Sequence, residues 1–306
     1  MVTIDAALVR WSTDEAERAG RPLLVLLHGV GSHEGDLIGL APYLPRDLAI
    51  ASLRAPLPHG DGHSWYPLAL PGSPEPGPVD EAAEAVLAWV DSLGDAHPSV
   101  ALLGFSQGGS LTLQLLRHAP ERFAWAAVLA GFVVPDDSEA TSRRDAELAR
   151  VRPDVFWGRG DVDAVIPLDA VQRTADWLAA HADVEETVYP GLAHGISQEE
   201  LDDLNAFISR VTNPLAGLDP DTLDSDNDSD SDSDNDSDND SDVSAADRDA
   251  PDRAAAPAPA TPTATAPAPA PATTPDAPDT PATTDADALA VDAGRRIGTV
   301  DDPAVR

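Results

Sequence analysis

The stretch SVALLGFSQGGSLTLQLLRHAP, residues 99–120, constrains the fold more than any other part of the chain. Seven residues apolar enough for a fully buried strand pass directly into a glycine-rich turn, and the turn passes directly into an apolar segment of helical length. A strand buried on both faces belongs inside a parallel sheet, and a helix that follows it without a spacer begins a crossover connection. The rest of residues 1–213 repeats this alternation. RPLLVLLHG, DLAIASLRAP, FAWAAVLAG, DVFWG and VEETVYP read as strands. PVDEAAEAVLAWVDSLG reads as a helix, with Val86, Leu87, Val90 and Leu93 at helical spacing and acids opposite. Residues 141–150, LDAVQRTADWLAAH and SQEELDDLNAFISRV read as further helices, the last carrying Leu201, Leu204 and Ile208 on one face. Residues 2–11 add an antiparallel edge strand. The expectation is an α/β fold with a mostly parallel central sheet and helices on both faces, whose chemistry gathers at the carboxyl ends of the strands.

The pattern stops near Asn213. From Pro214 to Arg306 there is no aromatic residue, and an Asp/Ser/Asn repeat gives way to Pro/Ala/Thr-rich sequence. Such compositions bury too little apolar surface to offset the entropy of ordering, so residues 214–306 are expected to be a disordered tail behind a single catalytic-size domain of residues 1–213. Residues 1–213 hold 32 acidic and 14 basic side chains, and every one of the 19 basic residues in the chain is arginine. Concentrated salt screens the self-repulsion of such a surface, which points to a very saline cytoplasm. Without a basic patch, nucleic-acid binding is excluded. The chain has no cysteine, which removes disulfides, thiolate nucleophiles and cysteine-ligated zinc. MVTIDAALVRWSTDEAER lacks the basic and apolar regions of a signal peptide, and the longest aliphatic run, LLVLL, is far short of a membrane span. The expectation is therefore a cytoplasmic protein with no stable membrane insertion. Nothing in the pattern fixes an oligomeric state.

Chemistry concentrates in three places. Gly104-Phe105-Ser106-Gln107-Gly108 has the G-x-S-x-G form at a strand-to-helix junction, where a nucleophilic serine sits on a strained turn and glycines on either side relieve clashes. A lysine-dependent phosphate loop is excluded, because there is no lysine. Acyl transfer also needs donors for an oxyanion. One is the N–H of Gln107, and Val30 in LHGVGSH is the best candidate for the other. His28 and His33 in that loop read as loop-structuring residues, with no acidic cluster at metal-ligand spacing. In chain order a serine, an acid and a histidine should follow one another. Past GRGDVDAVIP only His181 and His194 remain; His181 closes a helix, whereas His194 lies in the glycine-flanked loop GLAHG and is the base by elimination. Either Asp161 or Asp163 could orient it.

With these residues in place the chain resembles the phospholipase/carboxylesterase family of α/β-hydrolases, related to acyl-protein thioesterases. The resemblance covers residues 20–210 and rests on GFSQGGS (104–110), LHGVGSHEGDL (27–37), GDVDAVIP and YPGLAHGIS. It implies the α/β-hydrolase fold, a Ser106–Asp163–His194 triad, and no cofactor or metal. It assigns Asp163 because the family's catalytic aspartate lies four residues before the proline of the acid loop, here Pro167. It also implies that Trp65 and Tyr66 of GHSWYPL line an acyl pocket. Arg159 departs from a frequent family histidine. The expected substrate is a small-molecule ester or thioester with a short to medium acyl group, since residues 131–153 are too short and polar for a large lid. A lysophospholipase or acyl-protein thioesterase is the alternative among hydrolases, and a non-catalytic scaffold whose tail recruits partners is the alternative of another class.

Overall fold

The computed structural model describes residues 2–67 and 73–213. The expected tail, residues 214–306, lies outside the described residues, as does Leu68 at the end of GHSWYPL. Along the chain run β1 (Arg10–Trp11), α1 (Glu15–Arg18), β2 (Leu23–Leu27), α2 (Glu34–Leu37), β3 (Ala49–Leu53), β4 (Leu57–His59) and β5 (Gly62–Ser64). Then follow α3 (Pro76–Ser92), β6 (Val100–Phe105), α4 (Gln107–His118), β7 (Trp125–Leu129), α5 (Glu139–Val151), β8 (Asp154–Gly160), α6 (Leu168–His181), β9 (Asp183–Tyr189) and α7 (Gln198–Thr212).

Seven strands form one sheet in the order β1-β3-β2-β6-β7-β8-β9. All neighbours are parallel except β1, which runs antiparallel to β3 with Trp11 opposite Ala51. This is the expected mostly parallel sheet. The edge strand is shorter than residues 2–11, because the Asp5 side chain accepts from the Ala7 N–H and turns Ala6–Leu8 into 3₁₀ helix, leaving only Arg10 and Trp11 to pair.

Alternation along the strands sends side chains to two cores. Leu23, Val25 and Leu27 of β2 join the core covered by α3, α4 and parts of α5 and α6, while Leu24 and Leu26 join the core covered by α2 and α7. All five are at most 1% exposed, and burying each contributes about 1.5–3 kcal/mol. On α3 the buried face is carried by Val79, Ala82, Ala83, Val86, Trp89 and Val90, with Leu87 and Leu93 only half-buried at its margin. Small alanines let the helix lie close to the sheet, a contribution that counting large apolar residues underrates. The carboxyl ends of β2, β6, β8 and β9 open on the same edge of the parallel sheet, and the loops that leave them hold His28–Ser32, Ser106, Asp161–Asp163 and His194.

Candidate active site

Ser106 is the single residue between β6 and α4, with φ 55° and ψ −115°. A non-glycine residue at positive φ costs about 1–3 kcal/mol and persists only where its surroundings enforce it. Here the Ser106 N–H donates to Leu129 O at 2.9 Å, and its carbonyl accepts from the Ser110 N–H at 2.9 Å. The turn also needs its two flanking glycines. A Cβ on Gly104 would fall 2.2 Å from the Gly108 carbonyl oxygen, and one on Gly108 would fall 1.9 Å from Leu27 O. Strand, turn and helix interlock at distances that only hydrogen side chains allow.

The acid and the histidine come from β8 and β9. Asp161 N–H donates to Tyr189 O at 3.2 Å, Val162 N–H donates to Leu192 O at 3.3 Å, and a Cβ on Gly160 would overlap Leu192 O at 1.8 Å. These contacts zip the acid loop to the histidine loop. His194 then projects between Asp163 and Ser106, with Nδ1 2.7 Å from Asp163 Oδ2 and Nε2 2.9 Å from Ser106 Oγ. A carboxylate only accepts, so Nδ1 carries the proton and Nε2 is free to accept from the serine hydroxyl. The His194 and Asp163 side chains are each 7% exposed, and Phe105 packs on the imidazole at 5.0 Å. Burial pushes the Asp163 carboxyl up, but the His194 hydrogen bond and charge and the Val165 and Ile166 N–H groups outweigh it and hold the carboxyl below the usual range. Asp161 faces elsewhere. Its Oδ1 accepts from the Gly191 N–H at 2.6 Å, bracing the start of the histidine loop.

The loop after β2 closes on the serine from the other side. A Cβ on Gly29 would lie 3.5 Å from Ser106 Cβ, which brings the Gly29–Val30 peptide beside Ser106. Among the described residues neither the Val30 nor the Gln107 N–H has a hydrogen-bond partner. Gln107 opens α4, so its N–H also stands at the positive end of a helix dipole.

A sequence model of the phospholipase/carboxylesterase family matches residues 80–212. The carboxylesterase SOBER1 of Arabidopsis thaliana is 35% identical over 156 residues, which are 48% of this chain and 67% of the relative. The chain belongs to the phospholipase/carboxylesterase family. A probable carboxylesterase of Oryza sativa subsp. japonica is 37% identical over 154 residues, 47% of this chain, and the match spans only 57% of that relative's length. The crystal structure of esterase PE8 superposes with a TM-score of 0.57 at 25% identity, covering 69% of this chain and all of that one.

In this family member Trp65 and Tyr66, expected on the wall of an acyl pocket, are each 1% exposed. Both residues are engaged in internal contacts. The Trp65 N–H donates to Gln107 Oε1 at 2.9 Å, Gln107 Nε2 donates to Tyr66 O at 2.9 Å, and Trp65 Nε1 donates to His28 O at 2.7 Å. The loop after β2 and the start of α4 are thus tied through one aromatic pair. The hairpin β4–β5 that leads into Trp65 is an addition to the expected elements, although Gly60-Asp61 carries the signal of a two-residue turn. It bridges to the loop after β2, with Gly31 N–H on His63 O and His63 N–H on Ser32 O, both at 2.8 Å. Among the described residues no cluster of three or more His, Asp and Glu side chains is placed to hold a metal ion, and no helix is long and apolar enough to cross a membrane.

Proposed function

We propose that this family member is a serine hydrolase that cleaves carboxylic esters or thioesters of short to medium acyl groups through an acyl-enzyme. The observation that carries the reading is the unbroken pair of hydrogen bonds from Asp163 through His194 to Ser106, which ends on a serine held at positive φ. In the first half-reaction His194 Nε2 takes the Ser106 proton as Oγ attacks the substrate carbonyl, and Asp163 steadies the imidazolium. The Val30 and Gln107 N–H groups receive the negative charge on the carbonyl oxygen. His194 returns its proton to the departing alcohol or thiol. Water then attacks the acyl-enzyme by the same route, releasing the acid, and no cofactor takes part.

Support for an acyl substrate comes from the rim of the acid loop. Val162, Val165 and Leu168 are 55%, 43% and 84% exposed around Asp163, an open apolar face on a domain rich in acid. An acyl chain laid on that face stays accessible, which favours small substrates over bulk lipid. The reading extends to the setting: residues 1–213 form the catalytic unit in a saline cytoplasm. Ser106→Ala, assayed on a p-nitrophenyl short-chain ester in concentrated KCl, should lose turnover and labelling by a fluorophosphonate probe. Retained turnover would refute the assignment.

A further inference from the structure

His28 is the first residue after β2 and directly precedes the Gly29–Val30 peptide that approaches Ser106, and it is fully buried. It makes no hydrogen bond to the serine, yet both ring nitrogens and the backbone carbonyl are engaged in a specific way. We infer that His28 is a positioning residue that locks the Gly29–Val30 peptide so that the Val30 N–H faces the oxyanion. This rests on the reading of Val30 as an oxyanion donor.

The tautomer follows from the partners. The Ala55 N–H, which can only donate, lies 3.1 Å from His28 Nε2, so Nε2 accepts and the ring proton sits on Nδ1. Nδ1–H donates to Gly29 O at 2.8 Å. Burial supports this neutral form, holding the imidazole down at about 4. In a trans peptide the carbonyl and the following N–H point in opposite directions. Fastening the Gly29 carbonyl against the His28 ring therefore turns the Val30 N–H away from that ring. The same carbonyl accepts from the Ser32 N–H at 3.3 Å, and the preceding peptide is held by the Trp65 indole on the His28 carbonyl. The Trp65 and His28 rings pack at 5.2 Å. If the Gly29–Val30 peptide flipped, Nδ1–H would lose its acceptor in a closed interior, and a carbonyl oxygen would replace the donor. With the peptide in the donor orientation both ring nitrogens keep a partner, whereas the flipped peptide would leave one of them without.

Two substitutions divide the functions of the ring. Asparagine puts an amide nitrogen near the place of Nδ1 and keeps the hold on Gly29 O, but gives up the acceptor for Ala55. Glutamine puts an amide oxygen near the place of Nε2 and does the reverse. The full chain is assayed in concentrated KCl on a p-nitrophenyl short-chain ester, with inhibition by a phenylboronic acid and thermal melts measured alongside. His28→Gln should lower kcat about 100-fold with little change in KM, and should weaken the boronic acid by a similar factor, because its tetrahedral adduct uses the same donor. His28→Asn should recover most of that loss. Equal kcat for the two variants, or a loss confined to KM, would overturn the proposal. Should His28→Gln fail to fold, Trp65→Phe removes the second lock on the segment. It should then lower kcat about tenfold and weaken the boronic acid in step, and an unchanged kcat would overturn the proposal. Ser106→Ala, run in parallel, separates the two readings. Turnover by that variant defeats the hydrolase reading itself, whereas an inactive Ser106→Ala beside a fully active His28→Gln defeats only the role of His28.

Discussion

Two aspartates in GRGDVDAVIP are alike in sequence and unlike in contact. Asp163 gives one oxygen to His194 and the other to the Val165 and Ile166 N–H groups, at 2.8 and 3.2 Å. An asparagine there must turn its oxygen toward those two donors, leaving its NH₂ facing His194 Nδ1. That nitrogen would then accept, the ring proton would move to Nε2, and no base would face Ser106. Asp163→Asn should therefore lower kcat on a chromogenic ester by about 10⁴-fold. Asp161 needs only an acceptor for the Gly191 N–H, and an amide oxygen supplies one, so Asp161→Asn should stay within about fivefold of the parent. Comparable losses in the two variants would mean that the pair works as a unit. The residues alone left both aspartates open, because a spacing of two says nothing about which carboxylate a loop will aim. The serine was easier to read, since its environment is local: the strand before it, the helix after it and the glycines at 104 and 108 are consecutive in the chain.

Element by element, the strands and helices followed the apolar pattern, while the connections that hold the loops together did not. Ser197 and Glu200 spell a capping box, and the Glu200 N–H does donate to Ser197 Oγ at 3.0 Å. What the pattern hides is that the Glu200 side chain is fully buried behind β8, filling the space where a Gly158 Cβ would stand 2.2 Å from Oε1. Burial, with Asp203 adding to it and the Ser197 N–H opposing it, pushes the Glu200 carboxyl up to about 8. Folded Glu200 thus keeps its proton between its ordinary value of 4.5 and about 8, while the unfolded chain releases it. Its contribution is complete below the unfolded value and is lost as pH rises, by about 1.4 kcal/mol per pH unit across that window. Glu200→Gln keeps an acceptor and removes the titration. In urea denaturation at pH 5, 6, 7 and 8 the variant should gain on the parent at each step, and a constant difference would show that Glu200 is not a buried acid. The β4–β5 hairpin was hidden for a similar reason. Its strands have three residues each, and their value lies in the loop they grip rather than in any periodicity.

At the scale of the whole molecule, charge sets conditions and topology makes the site. Residues 1–213 carry 18 more acidic than basic side chains, and exposed ion pairs such as Arg143–Glu139 and Arg150–Glu147 offset little of that repulsion. The melting temperature of residues 1–213 should rise by several degrees as KCl is raised from dilute to molar, and a flat or falling trend would remove the case for adaptation to salt. The residue pattern by itself determined the α/β class, the strand-helix order and the serine turn, because each depends on residues near one another in the chain. Only the tertiary structure decided which residues meet. His194 leaves β9 at the sheet edge and reaches Ser106 at the end of β6, with β7 and β8 lying between. The pairing depends on strand order and on the zipped acid and histidine loops, and neither is written in local spacing. The same holds for the loop after β2, where two histidines in LHGVGSH look alike in sequence. His28 is closed in by Trp65 and Ala55, contacts 37 and 27 residues away, and the fold alone makes it the one that holds the peptide beside the serine.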